Sequence, residues 1–376
     1  MTTQPAQQTR GLSPTPGNGI EVNTQRYARH VTLPGIGLEG QRALLQARVL
    51  CVGAGGLGSP VIQYLAAAGV GTLGIIDGDV VEESNLQRQV VHTLSSIGVS
   101  KVESAADWVA RFNPDISVIQ YDSLLDAATA PEILPQFDVV VDGSDNFATR
   151  YLVSDHCADL EIPVVWGSIY RFEGQLSVFT NGYTLRDIYP EPPEHAQNCS
   201  EAGVFGVLPG VIGTMMATET IKLLTGAGDP LVGRLGVWDG SRAEFKTLKF
   251  AQTPESKALR HSEAKRDACT AEPPVGVRAV SVDQWADLVD SGITLVDVRE
   301  PHEWRGGVLG EPVFAPLSAL RNHDFSSVAQ LDRKRPIAVY CAAGARSRVA
   351  AVLLEEAGFV DVTSLDGGIT AWWMRD

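Results

Sequence analysis

Two stretches of this chain combine residue types that can do chemistry. In AVYCAAGARSRVAAVLL, an apolar strand over residues 336–340 runs into Cys341, then a loop of small residues, then a helix with apolar positions at helical spacing. Far upstream, VLCVGAGGLGSP carries Gly53, Gly55 and Gly58 as G-x-G-x-x-G between a strand and a helix that begins near Ser59 and Pro60. A thiol facing successive N–H groups and a helix N-terminus has its anion stabilised by those dipoles. Glycines between a strand and a helix permit a tight turn and let N–H groups approach a phosphate at the positive helix end. Asp77 closes the next strand, 19 residues past Gly58, where a carboxylate can accept from ribose hydroxyls.

A glycine turn of this kind also suits a nicotinamide dehydrogenase, so the residues after it must decide. RYARHVTLPGIG precedes the turn, SNLQRQVVH and GVSKVES follow Asp77, and DGSDN ends the strand FDVVV. They supply three cations, Arg29, Arg88 and Lys101, and the carboxylate of Asp145 at the sheet edge where ligands sit. Phosphoryl chemistry needs cations around developing negative charge and a carboxylate for Mg²⁺, and hydride transfer needs neither. Singly, each cation is an ordinary surface charge; the ordered set favours adenylation.

The elements that must position these residues follow from pattern. Strand-like runs (ARVLCVG, TLGIIDGD, FDVVVDGSD, IPVVWGS, GQLSVFT) alternate with helical ones from Ala47 onward, which predicts an α/β fold with a mostly parallel sheet covered on both faces. The polar stretch 251–276, 26 residues rich in Lys, Glu, Ser and Pro, reads as a linker that lets a second unit swing. A smaller α/β unit over 277–376 begins with SVDQWADLVDSG and ITLVDVRE. Residues 1–20 lack an apolar core and read as a disordered tail, not a signal peptide. The run from Gly203 to Ala217 is too short and glycine-rich to span a membrane. A net charge of −15 argues against nucleic acid and disfavours anionic membranes. These features together predict a cytoplasmic protein.

The five cysteines, Cys51, Cys157, Cys199, Cys269 and Cys341, are odd in number and widely spaced, and no C-x-x-C pair exists. Disulfides and a zinc-thiolate site are therefore not expected. Cys51 and Cys157 fall inside a strand and a helix and read as buried apolar residues. Cys199 follows the polar loop YPEPPEHAQN and precedes an apolar run, so it is either a buried cysteine without chemistry or a reactive thiol.

With these motifs assembled, residues 21–250 resemble the MoeB/ThiF group of ubiquitin-activating-type adenylyltransferases, through RYARH, GAGGLGSP, IIDGDVVEESNLQRQ, SKVESA, DGSDN, EGQLSVF and CSEAGVFGVLPGVIGTMMATETIKLLTG. The resemblance implies a Rossmann-like domain with a mixed, mostly parallel sheet. It implies ATP with Mg²⁺, and adenylation of the C-terminal Gly-Gly carboxylate of a ubiquitin-like sulfur carrier (MoaD-, ThiS- or CysO-like). By motif position, Gly53, Gly55, Gly56, Gly58, Asn85 and Asn146 would line the nucleotide, and Arg88 and Lys101 would hold the triphosphate. Asp77 would take the ribose, Asp145 the metal, and Arg29 would reach into the partner's site in a homodimer. Many relatives carry two C-x-x-C pairs for a structural zinc; GYTLRDIYPEPP and AQTPESKALRH stand here instead, so no zinc is expected. In some members the cysteine at the Cys199 position links covalently to the carrier.

The second unit resembles the rhodanese sulfurtransferases through LVDVREPHEW, YCAAGARS and LDGGITAW over residues 277–374. Gly344 would curl the backbone around the sulfur and Arg346 would add positive charge. The Cys-x4-Arg spacing is one residue shorter than in the similar phosphatase loop, which suits a sulfur-sized anion. Asp297, Arg299 and Glu303 would form structural ion pairs. Ala342 and Ala343 stand where relatives carry Arg or Lys, and RGGVLGEPVFAPLS replaces a usual segment.

The two resemblances imply that Cys341 carries a persulfide, loaded by a cysteine desulfurase or thiosulfate, whose terminal sulfur attacks the acyl adenylate. The product would be a carrier thiocarboxylate for molybdopterin, thiamine or cysteine biosynthesis. The alternative is a sulfurtransferase whose first domain is a non-catalytic nucleotide-binding scaffold.

Overall fold

The protein's computed structural model describes residues 21–191, 203–260 and 278–373, apart from 302, 305, 306, 322 and 343. Cys199, Cys269, residues 1–20 and the linker beyond 260 lie outside the described residues. Contacts divide the chain into two compact units, Met1–Thr270 and Ala271–Asp376.

The first unit is built on strands β1 (Arg48–Val52), β2 (Thr72–Ile76), β3 (Ser117–Tyr121), β4 (Val139–Asp142), β5 (Val164–Tyr170), β6 (Glu173–Phe179), β7 (Arg234–Asp239) and β8 (Glu244–Lys249). Their order across the sheet is β3-β2-β1-β4-β5-β6-β7-β8. β3 through β5 pair in parallel, and the last three pairings are antiparallel. Helices α1 (Ala28–Val31), α2 (Gly37–Gln46), α3 (Gly58–Ala68), α4 (Lys101–Phe112), α5 (Ala130–Ile133), α6 (Phe147–Asp159), α7 (Leu208–Thr225) and α8 (Pro254–Arg260) complete the unit. Alternate residues of β1 go to opposite cores. Val49 and Cys51 pack with Ile62, Leu65, Ile212 and Met216, whereas Leu50 and Val52 pack with Phe137, Tyr151 and Trp166. Side chains alternate faces along a strand, so both faces of the sheet are covered, and central parallel strands read as continuous apolar runs.

Glycines set how closely α7 lies on the sheet. A Cβ at Gly174 of β6 would fall 2.3 Å from Ile212, and one at Gly167 of β5 would fall 2.3 Å from the Met216 sulfur. Part of the segment read as linker is ordered differently from that reading. In α8, Ser256 Oγ donates to Asp187 Oδ1 at 2.6 Å, and the Thr253 N–H donates to the same oxygen at 3.0 Å. A polar composition alone does not distinguish a linker from a helix held by side-chain caps of this sort.

The second unit contains β9 (Arg278–Val280), β10 (Thr294–Asp297), β11 (Val313–Phe314), β12 (Ile337–Tyr340) and β13 (Val362–Leu365), in the order β11-β10-β12-β13-β9, all parallel. Its helices are α9 (Val282–Asp290), α10 (Leu317–Arg321), α11 (Ala345–Glu356) and α12 (Gly368–Trp373). β12 again splits its side chains: Ile337 and Val339 join one core, Ala338 and Tyr340 the other. A capping box at Ser281 and Gln284 starts α9, satisfying donors that the first turn leaves unpaired. No helix among the described residues is long and apolar enough to cross a membrane.

Because Gly174 presents no side chain that could fill the space, Ile212→Ala should leave an unfilled cavity. A loss of about 2–5 kcal/mol is expected for such a truncation, to be read from the denaturant midpoint of the purified protein.

Candidate active site

The sheet order places a topological switch point between β1 and β4, because the chain builds outward from β1 through β2 to β3 and then returns to the other side. Ligands of doubly wound sheets sit at the C-terminal ends of the strands at such a point. The glycine turn follows β1, Asp77 follows β2, and Asp142–Asn146 follows β4, so the topology collects them on one edge. The two loops touch directly: the Gly143 N–H donates to the Val52 carbonyl at 3.0 Å, and a Cβ at Gly53 would lie 3.3 Å from the Gly143 oxygen.

The turn is tight. Gly53 has φ of +91°, and a Cβ at Gly58 would sit 1.9 Å from the Gly53 carbonyl oxygen. No other residue fits either position without moving the backbone. The peptides of Ala54 are held from both sides. Its N–H donates to Asp77 Oδ2 at 2.8 Å, and its carbonyl lies 2.9 Å from His92 Nε2. Gly56 lies beside Arg88, since a Cβ there would come within 3.8 Å of Arg88 Cγ. Arg88 is half-buried, with Nη1 donating to the Ser84 carbonyl at 3.1 Å. Asn85 is buried and caps its own short turn, with Oδ1 accepting from the Glu82 N–H at 3.2 Å.

Lys101 begins α4 and is 6% exposed, and its Nζ donates to Asp79 Oδ2 at 2.7 Å. The Asp79 side chain is itself two-thirds exposed, so the ammonium is drawn toward the open edge of the site. Asp77 is held above its ordinary carboxyl range by burial, and the Lys101 cation and the two N–H bonds it accepts work against that shift. Asp145 is exposed and makes no polar contact with described residues, and Asn146 caps α6 by accepting from the Thr149 N–H at 2.9 Å. Arg29, exposed on α1, makes no side-chain hydrogen bond or ion pair with the turn, Arg88, Lys101 or Asp145.

Beneath Asp145 lies a brace that the motifs do not reveal. Asp142 is buried; its Oδ1 accepts from the Ser144 N–H at 3.0 Å and from Ser144 Oγ at 2.6 Å, while Oδ2 has no hydrogen-bond partner among the described residues. Arg150 donates from Nε and Nη2 to the Ser144 carbonyl at 3.2 and 2.9 Å. Burial raises the Asp142 carboxyl above its ordinary range, opposed by Ser144 and Arg150.

In the second unit Cys341 follows β12 and is fully buried, and the Gly344 N–H donates to its Sγ at 3.1 Å. Gly344 has φ of +91° and caps α11, so the chain turns sharply around the sulfur as its glycine requires. Gly368 closes the other side: a Cβ there would fall 2.5 Å from the Cys341 carbonyl, which accepts from the Ile369 N–H at 2.8 Å. Arg346 is committed to a carboxylate, donating from Nη1 and Nη2 to Glu303 Oε2 and Oε1 at 2.6 and 2.8 Å. Arg299 forks onto Asp297 at 2.6–3.1 Å and reaches the Gly307 carbonyl at 2.7 Å. Asp297, Arg299 and Glu303 thus stand in ion pairs around the loop, and the positive charge expected from Arg346 is matched by Glu303.

Residues 27–259 match the model of the ThiF family, and residues 281–375 that of the Rhodanese-like domain. The chain is 41% identical over 362 residues to the probable adenylyltransferase/sulfurtransferase MoeZ of Mycobacterium tuberculosis, covering 92% of each. It belongs to the ThiF family. The ThiF part is also 48% identical over 233 residues to the SAMP-activating enzyme E1 of Haloferax volcanii, covering 61% of this chain and 86% of that protein. E. coli MccB, solved with ATP, shares the fold with a TM-score of 0.54 at 22% identity, over 62% of this chain and 73% of that one. The chain is an enzyme of two activities, an adenylyltransferase that uses ATP and a sulfurtransferase.

In the ThiF unit, sequence reasoning named the glycines, Asp77, Lys101 and Asp145, which one edge of the sheet brings together. It missed His92, Ser104, Asp79, Asp142 and Arg150, which hold those residues in place. The histidine of SNLQRQVVH was in view, but nothing in its type told that it binds a backbone carbonyl.

Two outcomes follow. Asp142→Asn keeps an acceptor for Ser144 and removes a buried charge. A carboxyl whose folded pKa is raised disfavours folding above that range and ceases to as the pH falls through it. The variant should therefore be at least as stable as the parent at pH 7, with an advantage that shrinks on acidification, in denaturant titrations at both conditions. Glu303→Ala strands the buried Arg346 guanidinium, and losing one partner of a buried pair costs about 3–5 kcal/mol. Thermal melting of this variant should show a lowered transition, whereas Arg346→Met with Glu303→Leu should recover much of the loss.

Proposed function

We propose that this enzyme adenylates the C-terminal Gly-Gly carboxylate of a ubiquitin-like sulfur carrier and then converts it to a thiocarboxylate with sulfur from Cys341. The observation that carries the reading is one sheet edge holding a tight glycine turn, the buried Lys101 and the open carboxylate of Asp145. The N–H groups of the turn and the N-terminus of α3 face developing phosphate charge, where fixed dipoles act with little reorganisation. Lys101 and Arg88 hold the triphosphate, and Asp77 orients the ribose while its other contacts keep the turn closed. Arg29, which reaches none of these groups in its own chain, serves the site of the second subunit in a homodimer.

Asp145 offers what Mg²⁺ prefers, a hard and accessible oxygen that leaves room for phosphate oxygens and water. Asp145 would hold the ion, which when bound neutralises charge on the departing pyrophosphate. The proposal includes no zinc, since the chain has no C-x-x-C pair.

The carrier carboxylate attacks the α-phosphorus, releasing pyrophosphate and forming the acyl adenylate. Cys341, loaded by a cysteine desulfurase or by thiosulfate, presents a persulfide. Its Sγ is buried, so the reacting atom is the terminal sulfur beyond it. That sulfur bonds to the acyl carbon and AMP leaves, giving an acyl disulfide on Cys341. A thiol then attacks the outer sulfur and frees Cys341 as its thiol, and a second thiol attacks the sulfur of the first, releasing the carrier thiocarboxylate and leaving a disulfide between the two. Cys199 is the candidate for that first thiol. The products suit sulfur delivery in molybdenum cofactor, thiamine or cysteine synthesis in the cytoplasm.

Candidate Gly-Gly-ended carriers incubated with the enzyme, ATP·Mg²⁺ and thiosulfate, then weighed intact, should gain the mass of sulfur for oxygen. Cys341→Ala should still form AMP-linked carrier but no thiocarboxylate. Lys101→Ala should cut adenylation about 100-fold, the scale for losing one charge-stabilising donor. No carrier adduct despite ATP binding would instead make the first domain a scaffold.

A further inference from the structure

We propose that His92 is a positioning residue for the triphosphate, fixing the separation between the glycine turn and the Lys101 end of α4. The inference rests on the reading of this edge as the ATP site. His92 is 5% exposed, and its two ring nitrogens touch the two elements concerned. Nε2 lies 2.9 Å from the carbonyl of Ala54, in the turn, and Nδ1 lies 2.9 Å from Ser104 Oγ, one turn beyond Lys101 on α4. A carbonyl can only accept, so Nε2 bears the proton. Nδ1 then accepts from the Ser104 hydroxyl, and the neutral ring is used at both ends.

The contacts close a circuit. From Ala54 it runs through its N–H to Asp77 Oδ2, and from Asp77 Oδ1 to the Asp79 N–H at 2.9 Å. Asp79 continues it by binding Lys101 twice, accepting from Nζ at 2.7 Å and, through its carbonyl, from the Lys101 N–H at 2.9 Å. Ser104 and His92 return it to Ala54. Every link but His92 lies on the β2–α4 side. Among the described residues, His92 is the hydrogen-bond link between the Ala54 carbonyl and α4. The groups facing the ring are the Lys101 cation and the Asp77 carboxylate. Burial holds the imidazole below its ordinary range, and Lys101 acts in the same direction.

With the peptides on both sides of Ala54 held, the N–H groups after it keep one direction, and Lys101 keeps one distance from them. Loss of His92 should loosen that distance rather than remove a contact with nucleotide. The effect should therefore fall on phosphate recognition and spare the nucleoside.

The test is calorimetric binding of ATP·Mg²⁺ and, by competition, of adenosine to the full-length protein, with no carrier present. His92→Leu and Ser104→Ala should each weaken ATP roughly tenfold, the scale of a small misplacement of binding groups. Adenosine binding should change less than about twofold. The double variant should be no worse than His92→Leu alone, because the two residues act through one link. His92→Gln, whose amide carries a donor and an acceptor at similar separation, should restore most of the ATP affinity. Ser104→Ala keeps the test open if His92→Leu fails to fold. Unchanged ATP affinity in folded His92→Leu or in Ser104→Ala would overturn the assignment, as would equal weakening of ATP and adenosine. Failure of the parent protein to bind ATP would instead strike the reading of the site itself.

Discussion

The approach of Gly58 to the Gly53 carbonyl, where a Cβ would stand 1.9 Å away, is the contact on which the ThiF unit turns. It lets β1 run almost directly into α3, so that the helix N-terminus and the turn's N–H groups open at the same edge of the sheet. Once that edge is defined, every other group has a place relative to it: Asp77 at the end of β2, Lys101 at the start of α4, Asp145 beyond β4. The parallel register of β1 with both β2 and β4 then brings those strand ends level. A substitution that opened the turn would therefore disturb groups that make no contact with it, since they share only the sheet.

Charge is handled differently in the two units. At the glycine-turn edge, Lys101 is buried but its partner Asp79 is mostly exposed, and Asp145 makes no polar contact with described residues, so both signs remain available to a ligand. Around Cys341, the buried Arg299 is matched by Asp297 and the buried Arg346 by Glu303, while the more exposed Arg348 meets Asp366 at 3.1 Å. Buried ion pairs add little net stability but punish the loss of one partner, which makes them effective at fixing a loop. Glu303 also accepts from the Glu300 N–H at 2.9 Å, and Glu300 accepts from Ser318 Oγ at the same distance. The loop that bears the sulfur is thus fastened to the segment after β10 and to α10.

Much of this architecture is legible in the sequence. The glycine spacing, Asp77 and the central apolar strands are read directly because turns and parallel strands impose strong constraints on residue type. β8 shows the opposite case: all six of its residues are exposed, so EFKTLK carries no apolar alternation to betray a strand. Helix α8 was hidden because its anchor, Asp187, lies in a distant segment. Arg346 follows the cysteine loop in sequence, but the carboxylate that matches its charge comes from another loop, and sequence spacing does not report such a meeting. His92 and Asp142 were missed for the same reason: their work is done on backbone groups, which every residue possesses and no motif marks.

The three cysteines among the described residues are all buried, yet they differ in what surrounds the sulfur. Cys51 and Cys157 lie in β1 and α6, where their backbone N–H groups and those around them serve strand and helix. Burial alone acts on Cys51, pushing its thiol up to about 12, and it pushes Cys157 up as well with Asp142 adding to the effect. Such thiols are poor nucleophiles at neutral pH because so little thiolate forms. Cys341 is just as inaccessible, yet it sits past the end of its strand, where the backbone turns and the Gly344 N–H points at the sulfur. Burial therefore does not distinguish the three cysteines. The difference is whether the backbone around the sulfur still has donors to offer, and that is decided by Gly344 and by the strand ending one residue early.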